Sequence, residues 1–158
     1  MCMDILTLSG KDLANLMGAV LEKNSDFRFR AKGHSMAPFI KNMDIVTISP
    51  LSKNRPETGD IVAASFWERK SIMVHRVVNE KQGRFIIKGD NNKLGDGIFE
   101  RDQIIGTVSK IERKGKRIWC GGRAVGKIIA FFSKNGVLNN LILPILRTGK
   151  SRMKSLFF

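Results

Sequence analysis

Between residues 26 and 113 the apolar side chains of this chain tend to recur every two residues, and turn-forming residues cut the pattern into short segments. Side chains two apart share one face of a strand, so such a region buries an apolar face as β-structure. Phe27-Arg28-Phe29-Arg30 is the first segment; Asp44 to Ser49, Asp60 to Phe66, Ser71 to Val78, Arg84 to Lys88 and Ile104 to Glu112 follow. Pro50, Pro56-Glu57-Thr58-Gly59, Gln82-Gly83 and Asn91-Asn92 punctuate them. Many short strands with turns between them predict a mostly β fold, a curled antiparallel sheet or small barrel.

Helical spacing appears on either side. Leu13, Leu16, Met17, Val20 and Leu21 predict an amphipathic helix over residues 10 to 23, with Ser9 and Asp12 in a Ser-x-x-Asp capping arrangement and the apolar stripe packed on the body of the protein. Beyond Cys120-Gly121-Gly122, the residues Ala124, Val125, Ile128, Ile129, Phe131 and Phe132 predict a second such helix, with Gly136 as its stop. Val137 to Ile145 is a further short apolar segment, broken at Pro144. Arg147, Lys150, Arg152 and Lys154 then precede Leu156-Phe157-Phe158, a basic run with an apolar end that suits either an anionic membrane surface or a solvated terminus. With 158 residues and 42% hydrophobic content, the chain can bury one core of ordinary size. It divides into an N-terminal amphipathic helix over residues 1–25, a β domain over residues 26–121 and a basic helical extension over residues 122–158.

Lys and Arg number 28 against 14 acidic residues, a formal net charge of +14, which favours anionic partners, nucleic acid or lipid headgroups. Nucleic acid is the weaker of these, because no helix-turn-helix precedes the β region and base-stacking platforms are few, with no Tyr and only two Trp. Cys2 and Cys120 make neither a disulfide framework nor a metal site of recognisable spacing, so a reducing compartment and no cofactor are expected. The start, Met1-Cys2-Met3-Asp4-Ile5-Leu6, lacks the basic and apolar regions of a signal peptide. A bilayer-spanning helix needs about 20 mostly apolar residues, whereas the uncharged run between Lys134 and Arg147 holds three asparagines and Pro144. The expected location is the cytoplasm, with the tail a means of peripheral membrane contact.

Three stretches carry chemistry. Gly33-x-Ser35-Met36-x-Pro38 sets a serine between a flexible residue and a ring-locked one, a way to hold a hydroxyl at a loop tip. Such a serine alone reads as a turn cap. His75 lies in the apolar segment Ile72 to Val78, where alternation puts Met73, His75 and Val77 on one face. The other histidine, His34, adjoins Ser35, and neighbours in extended backbone point to opposite sides, which leaves His75 the better base. Asp90 and Asp96 are the candidate acids, in Gly89-Asp90-Asn91-Asn92 and between Gly95 and Gly97. Asp90 also suits a turn cap, and the residues themselves leave the two aspartates undecided. A hydroxyl, an imidazole and a carboxylate are what nucleophilic acyl transfer needs, since serine requires a base to take its proton and an acid to orient that base.

Taken in order, Gly33-x-Ser35-Met36-x-Pro38, Asp44-Ile45-Val46, Gly59-Asp60-Ile61-Val62, Val74-His75-Arg76-Val77, Lys88-Gly89-Asp90-Asn91-Asn92-x-x-x-Asp96 and Ile105-Gly106-x-Val108 resemble the successive boxes of type I signal peptidases, a clan shared with the LexA-type self-cleaving repressors. The resemblance spans roughly residues 27 to 113. Most bacterial signal peptidases use a lysine base where this chain has His75, so the likeness is to the endoplasmic-reticulum, archaeal and sporulation-type branch with Ser, His and Asp. It implies Ser35 as nucleophile, His75 as general base and Asp96 as the acid, with Asp90, Gly33 and Met36 in supporting roles. It also implies a peptide or protein substrate bound extended beside exposed strands, with small side chains before the cut in a leader- or signal-like segment. Three departures stand out: no N-terminal transmembrane anchor, Gly33 where many relatives carry an oxyanion-binding Ser, and Met43-Asp44 in place of the usual Gly-Asp. A basic binding module of the same fold that no longer cuts is the alternative expectation.

Overall fold

The computed structural model describes residues 10–51, 55–66, 71–118 and 123–136. Helix α1 (Gly10–Glu22) leads into strands β1 (Phe27–Arg30), β2 (Ile45–Pro50), β3 (Ile61–Phe66), β4 (Ser71–Lys81), β5 (Arg84–Lys88) and β6 (Gly97–Phe99). A short 3-10 turn, Arg101–Gln103, precedes β7 (Ile104–Arg113) and β8 (Lys116–Ile118), and helix α2 (Arg123–Lys134) follows. All pairings are antiparallel, in the order β1-β2-β7-β3-β4-β5-β6 with β8 added to β7. The fold is mostly β, a curled antiparallel sheet with a helix before it and a helix after it.

The six longer strands lie where the alternation places them, with limits moved by a few residues. β4 runs three residues past Val78 to meet β5 through Gln82-Gly83, whose φ angles of 52° and 85° suit a two-residue hairpin turn. Strands β6 and β8 are additions, three residues each and too short for periodicity to register. The sheet bends where register shifts interrupt β2 against β7, β3 against β7 and β4 against β5. Its curl brings the loop after β1 against the loop after β5, where the Asn91 N–H donates to Ser35 O at 2.7 Å.

Apolar side chains fill both faces. Met17 and Leu21 of α1 pack with Phe27, Met36, Val46, Ile48 and Ile111 on one, and Val62, Val77, Phe85, Ile87 and Phe99 form the other cluster. Along β3, Ile61 and Ala63 face the first while Val62 and Ala64 face the second. Leu16, placed by spacing on the buried stripe of α1, is instead exposed. α2 departs further from expectation. Its buried residues are Gly126, Ile129, Ala130 and Ser133, mostly small, while Ile128 and Phe131 face outward. The reason is proximity: a Cβ on Gly126 would stand 2.8 Å from Gly59 O, so the helix lies too close for large side chains there. Ser9, Cys2, Cys120, the segment Val137 to Ile145 and the basic tail fall outside the described residues. Among those described, no helix is long and apolar enough to cross a membrane.

Met43 adopts φ = 73°, a left-handed conformation that costs an L-residue about 1–2 kcal/mol. Its backbone N–H reaches Ala31 O at 2.8 Å, and Ala31 N–H reaches Asp44 O at 2.8 Å, so the bend is held by two bonds that extend the β1–β2 pairing. Asp44 next to it accepts from Lys41 N–H and from two Arg113 nitrogens. Burial works against its carboxylate, but the Arg113 and Lys41 bonds outweigh it and hold the pKa below the ordinary value. Met43→Gly should therefore stabilise the protein by about 0.5–1 kcal/mol, the relief of the left-handed strain less the entropic cost of glycine. Met43 is 54% exposed, so little packing is lost. Urea unfolding checks this; a lower midpoint for the variant would contradict it.

Candidate active site

β1 ends at Arg30, and the chain then turns through Gly33 at φ = 98°, a conformation that glycine adopts without strain. The Gly33 N–H donates to Asn42 Oδ1 at 3.1 Å, which ties the start of the turn to its far side. Met36 is buried in the core and anchors the loop, its carbonyl accepting from Phe39 and Ile40 N–H and its sulfur from Asp90 N–H. Between these anchors stands Ser35.

His75 occupies the middle of β4, opposite Val62 of β3. Met73 and Val77, two residues away on either side, join the cluster that includes Val62 and Phe85, as alternation requires. The imidazole links three residues that are far apart in sequence. Its Nε2 lies 2.7 Å from Ser35 Oγ and its Nδ1 2.7 Å from Asp96 Oδ2. An ionised carboxylate only accepts, so the proton of a neutral ring belongs on Nδ1, and Nε2 is left to accept from the serine hydroxyl. Asp96 is held in turn by Gly89 N–H, 3.1 Å from the same Oδ2, and by a longer bond of 3.5 Å from Asn92 Nδ2 to Oδ1. The ring is buried, and the two polar contacts satisfy both of its nitrogens.

His34 does not share this arrangement. Its carbonyl accepts from Ala37 N–H and from Asn91 Nδ2, and its side chain is exposed. Asp90 also stands apart from the imidazole. Fully buried, it receives Arg76 Nε and Nη2 at 2.8 Å each, a two-pronged ion pair, while Arg76 Nη1 donates to Gly59 O at 2.8 Å. Arg76 and Asn91 are residues that the reading of motifs left without a role. Arg76 follows His75 directly, so alternation turns it to the opposite face of β4, where it fixes the same loop that delivers Asp96. That signal was present in the sequence: an arginine in an apolar strand calls for a buried acid. Among the described residues, no group of three His, Cys, Asp or Glu side chains converges as a metal site would.

The arrangement has the parts for acyl transfer: a hydroxyl, a base in contact with it, and an acid behind the base. No curated protein matches the chain. A family model described as Peptidase S24-like matches residues 6–109, which take in α1, the loop of Ser35, His75, Asp96 and most of the sheet. Together with the curled antiparallel sheet, that match means the chain belongs to the Peptidase S24-like family, of serine-peptidase type.

Proposed function

We propose that this protein is a serine endopeptidase in which Ser35 attacks a peptide carbonyl, His75 takes the serine proton and returns it to the leaving amine, and Asp96 orients His75. The observation that carries the reading is the pair of 2.7 Å contacts on the two nitrogens of one imidazole. As attack begins, the Oγ proton moves to Nε2, and the positive charge that forms on the ring is met by Asp96 on the other side. The carbonyl oxygen gains negative charge at the same time. With Gly33 where a hydroxyl would stand, its stabilisation falls to backbone N–H groups beside Ser35.

Substrate is bound in an extended form, with β1 the natural template. It is an end strand of the sheet and runs straight into the loop of Ser35. Backbone bonds along such an edge supply affinity, and shallow pockets select side chains. Small residues before the cut, in a leader- or signal-like segment, are the substrate class that the resemblance to the signal peptidases implies. A fluorophosphonate probe should label the native protein at Ser35, as read by peptide mapping, and should not label Ser35→Ala. Labelling elsewhere, or equal labelling of both, would sink the assignment.

The net charge of +14 favours a second reading, a module that docks on nucleic acid or an anionic membrane surface and no longer cuts. On α2, Ile128 and Phe131 are exposed beside Lys127 and Lys134, which suits lipid better than nucleic acid. Steeply salt-dependent binding without cleavage of peptide or of the chain itself would favour this reading over the peptidase. A truncation that probes the basic tail must end beyond Gly136, because one at Gly122 would also remove α2 from the sheet.

A further inference from the structure

Among the described residues, Lys88 is a buried ionisable group that the mechanism above does not use and that has no charged partner in a salt bridge. Lys88, the last residue of β5, is only 4% exposed, and its ammonium donates to Ser133 O at 2.9 Å and to Ser133 Oγ at 3.1 Å. Both acceptors are uncharged. Burial pushes its pKa below the ordinary lysine value, opposed by the carboxylates of Asp90 and Asp96. An apolar side chain would fill the same place without that desolvation cost, so the lysine calls for a reason beyond packing. Ser133 lies in the last turn of α2, where its carbonyl accepts only a long 3.2 Å bond from the Gly136 N–H and the helix dipole favours a cation. Lys88 therefore caps the end of α2.

Its position in the chain gives that cap a consequence. Lys88 directly precedes Gly89, whose N–H holds Asp96 Oδ2, and Asp90, which Arg76 holds. Lys88 and Arg76 are opposite one another in the β4–β5 register and so share a face. The second attachment of α2, the close contact of Gly126 with Gly59, is also one step from this loop, because Gly59 O accepts from Arg76. These two contacts of α2, beside the Glu57 ion pairs with Arg123 and Lys127 and the packing of Ile129 on Phe39, lead to the root of the segment that carries Asp96.

We propose that Lys88 is a positioning residue of the peptidase, and that by tying the root of the Asp96 loop to Ser133 it makes α2 part of the apparatus that aligns the acid with His75. The inference rests on the peptidase reading and extends it to a helix outside the matched residues 6–109. Lys88 touches no reacting atom; it acts through Gly89 and Asp96.

The test compares native protein, Lys88→Met, Ser133→Ala and the double variant on a leader-type peptide ending in Ala-x-Ala, with the imidazole Nδ1–H proton of His75 followed by NMR. Lys88→Met should lower kcat by about 10- to 100-fold, the scale of a displaced catalytic group, with KM unchanged. The Nδ1–H signal should shift or vanish while the backbone spectrum stays dispersed. Ser133→Ala should lower kcat less, and should add nothing once Lys88 is gone. If Lys88→Met does not fold, Lys88→Gln, a neutral and shorter side chain, carries the same readouts, because Ser133→Ala leaves the 2.9 Å bond to Ser133 O in place. Native kcat and an unmoved imidazole signal in a folded Lys88 variant, whatever the loss of thermal stability, overturn the proposal. Should the native protein neither cleave nor take the serine probe, the peptidase reading fails, and the imidazole signal alone then judges whether Lys88 positions Asp96.

Discussion

Ser35→Ala and His75→Ala should each lower kcat on a leader-type peptide by about 10⁴- to 10⁶-fold, with the double variant no worse than either single one. The reason is that the two groups act as one unit. Without the hydroxyl there is nothing to attack with, and without the imidazole the hydroxyl keeps its proton. What survives is the rate supplied by binding and by backbone donors to the oxyanion. Asp96→Asn should cost up to about 10⁴-fold by a different route. The amide oxygen can still accept from Nδ1–H and from Gly89 N–H, which lies 3.1 Å from Asp96 Oδ2, but no negative charge then meets the imidazolium as it forms. Single-turnover kinetics on purified variants measure all three. Undiminished cleavage by Ser35→Ala would exclude this serine as the nucleophile.

Arg76→Met should destabilise the fold by about 3–5 kcal/mol, because it leaves a buried carboxylate without its counter-charge. Asp90 is completely buried, and both of its oxygens are engaged by Arg76. The substitution also strips Gly59 O of its donor and removes the guanidinium that lies 5.4 Å from the ring centre of Phe39. Urea unfolding should show a midpoint shift with an unchanged slope. Arg76→Met/Asp90→Leu should be more stable than Arg76→Met alone, since removal of both charges leaves no stranded ion. An Arg76→Met variant within experimental error of the native stability would show that the carboxylate finds another partner or water. Loss of this pair should reach activity as well, because it loosens the loop that carries Asp96.

Much of the fold is written in local pattern. The alternation of Phe27 to Arg30 and of Arg84 to Lys88 marks strands because side-chain direction repeats with the backbone, whatever the strand pairs with. Gln82-Gly83 marks a hairpin for a similar reason, its backbone conformation being a property of the turn itself. β6 and β8 escape such reasoning, since three residues hold too little of a period and their pairing with β5 and β7 makes them strands. The apolar face of α2 misled for a related cause. Helical spacing identifies an amphipathic helix, but Gly126, Ala130 and Ser133 face the sheet because Gly59 comes so close.

The residues by themselves determined that a serine, a histidine and two aspartates stand in loops and strands able to present them, since residue chemistry and backbone period are local properties. Residue pattern left the two aspartates undecided and the resemblance to the signal peptidases implied Asp96, but the 2.7 Å contact of its Oδ2 with the imidazole belongs to the tertiary structure. Ser35 and His75 are 40 positions apart, and Lys88 and Ser133 are 45 apart. Contacts at such separations depend on how far the sheet curls and how closely a helix lies on it. The left-handed turn at Met43, the Arg76–Asp90 pair and the cap on α2 belong to the same class. Each is set by where two distant segments come to rest, which no periodicity along the chain records.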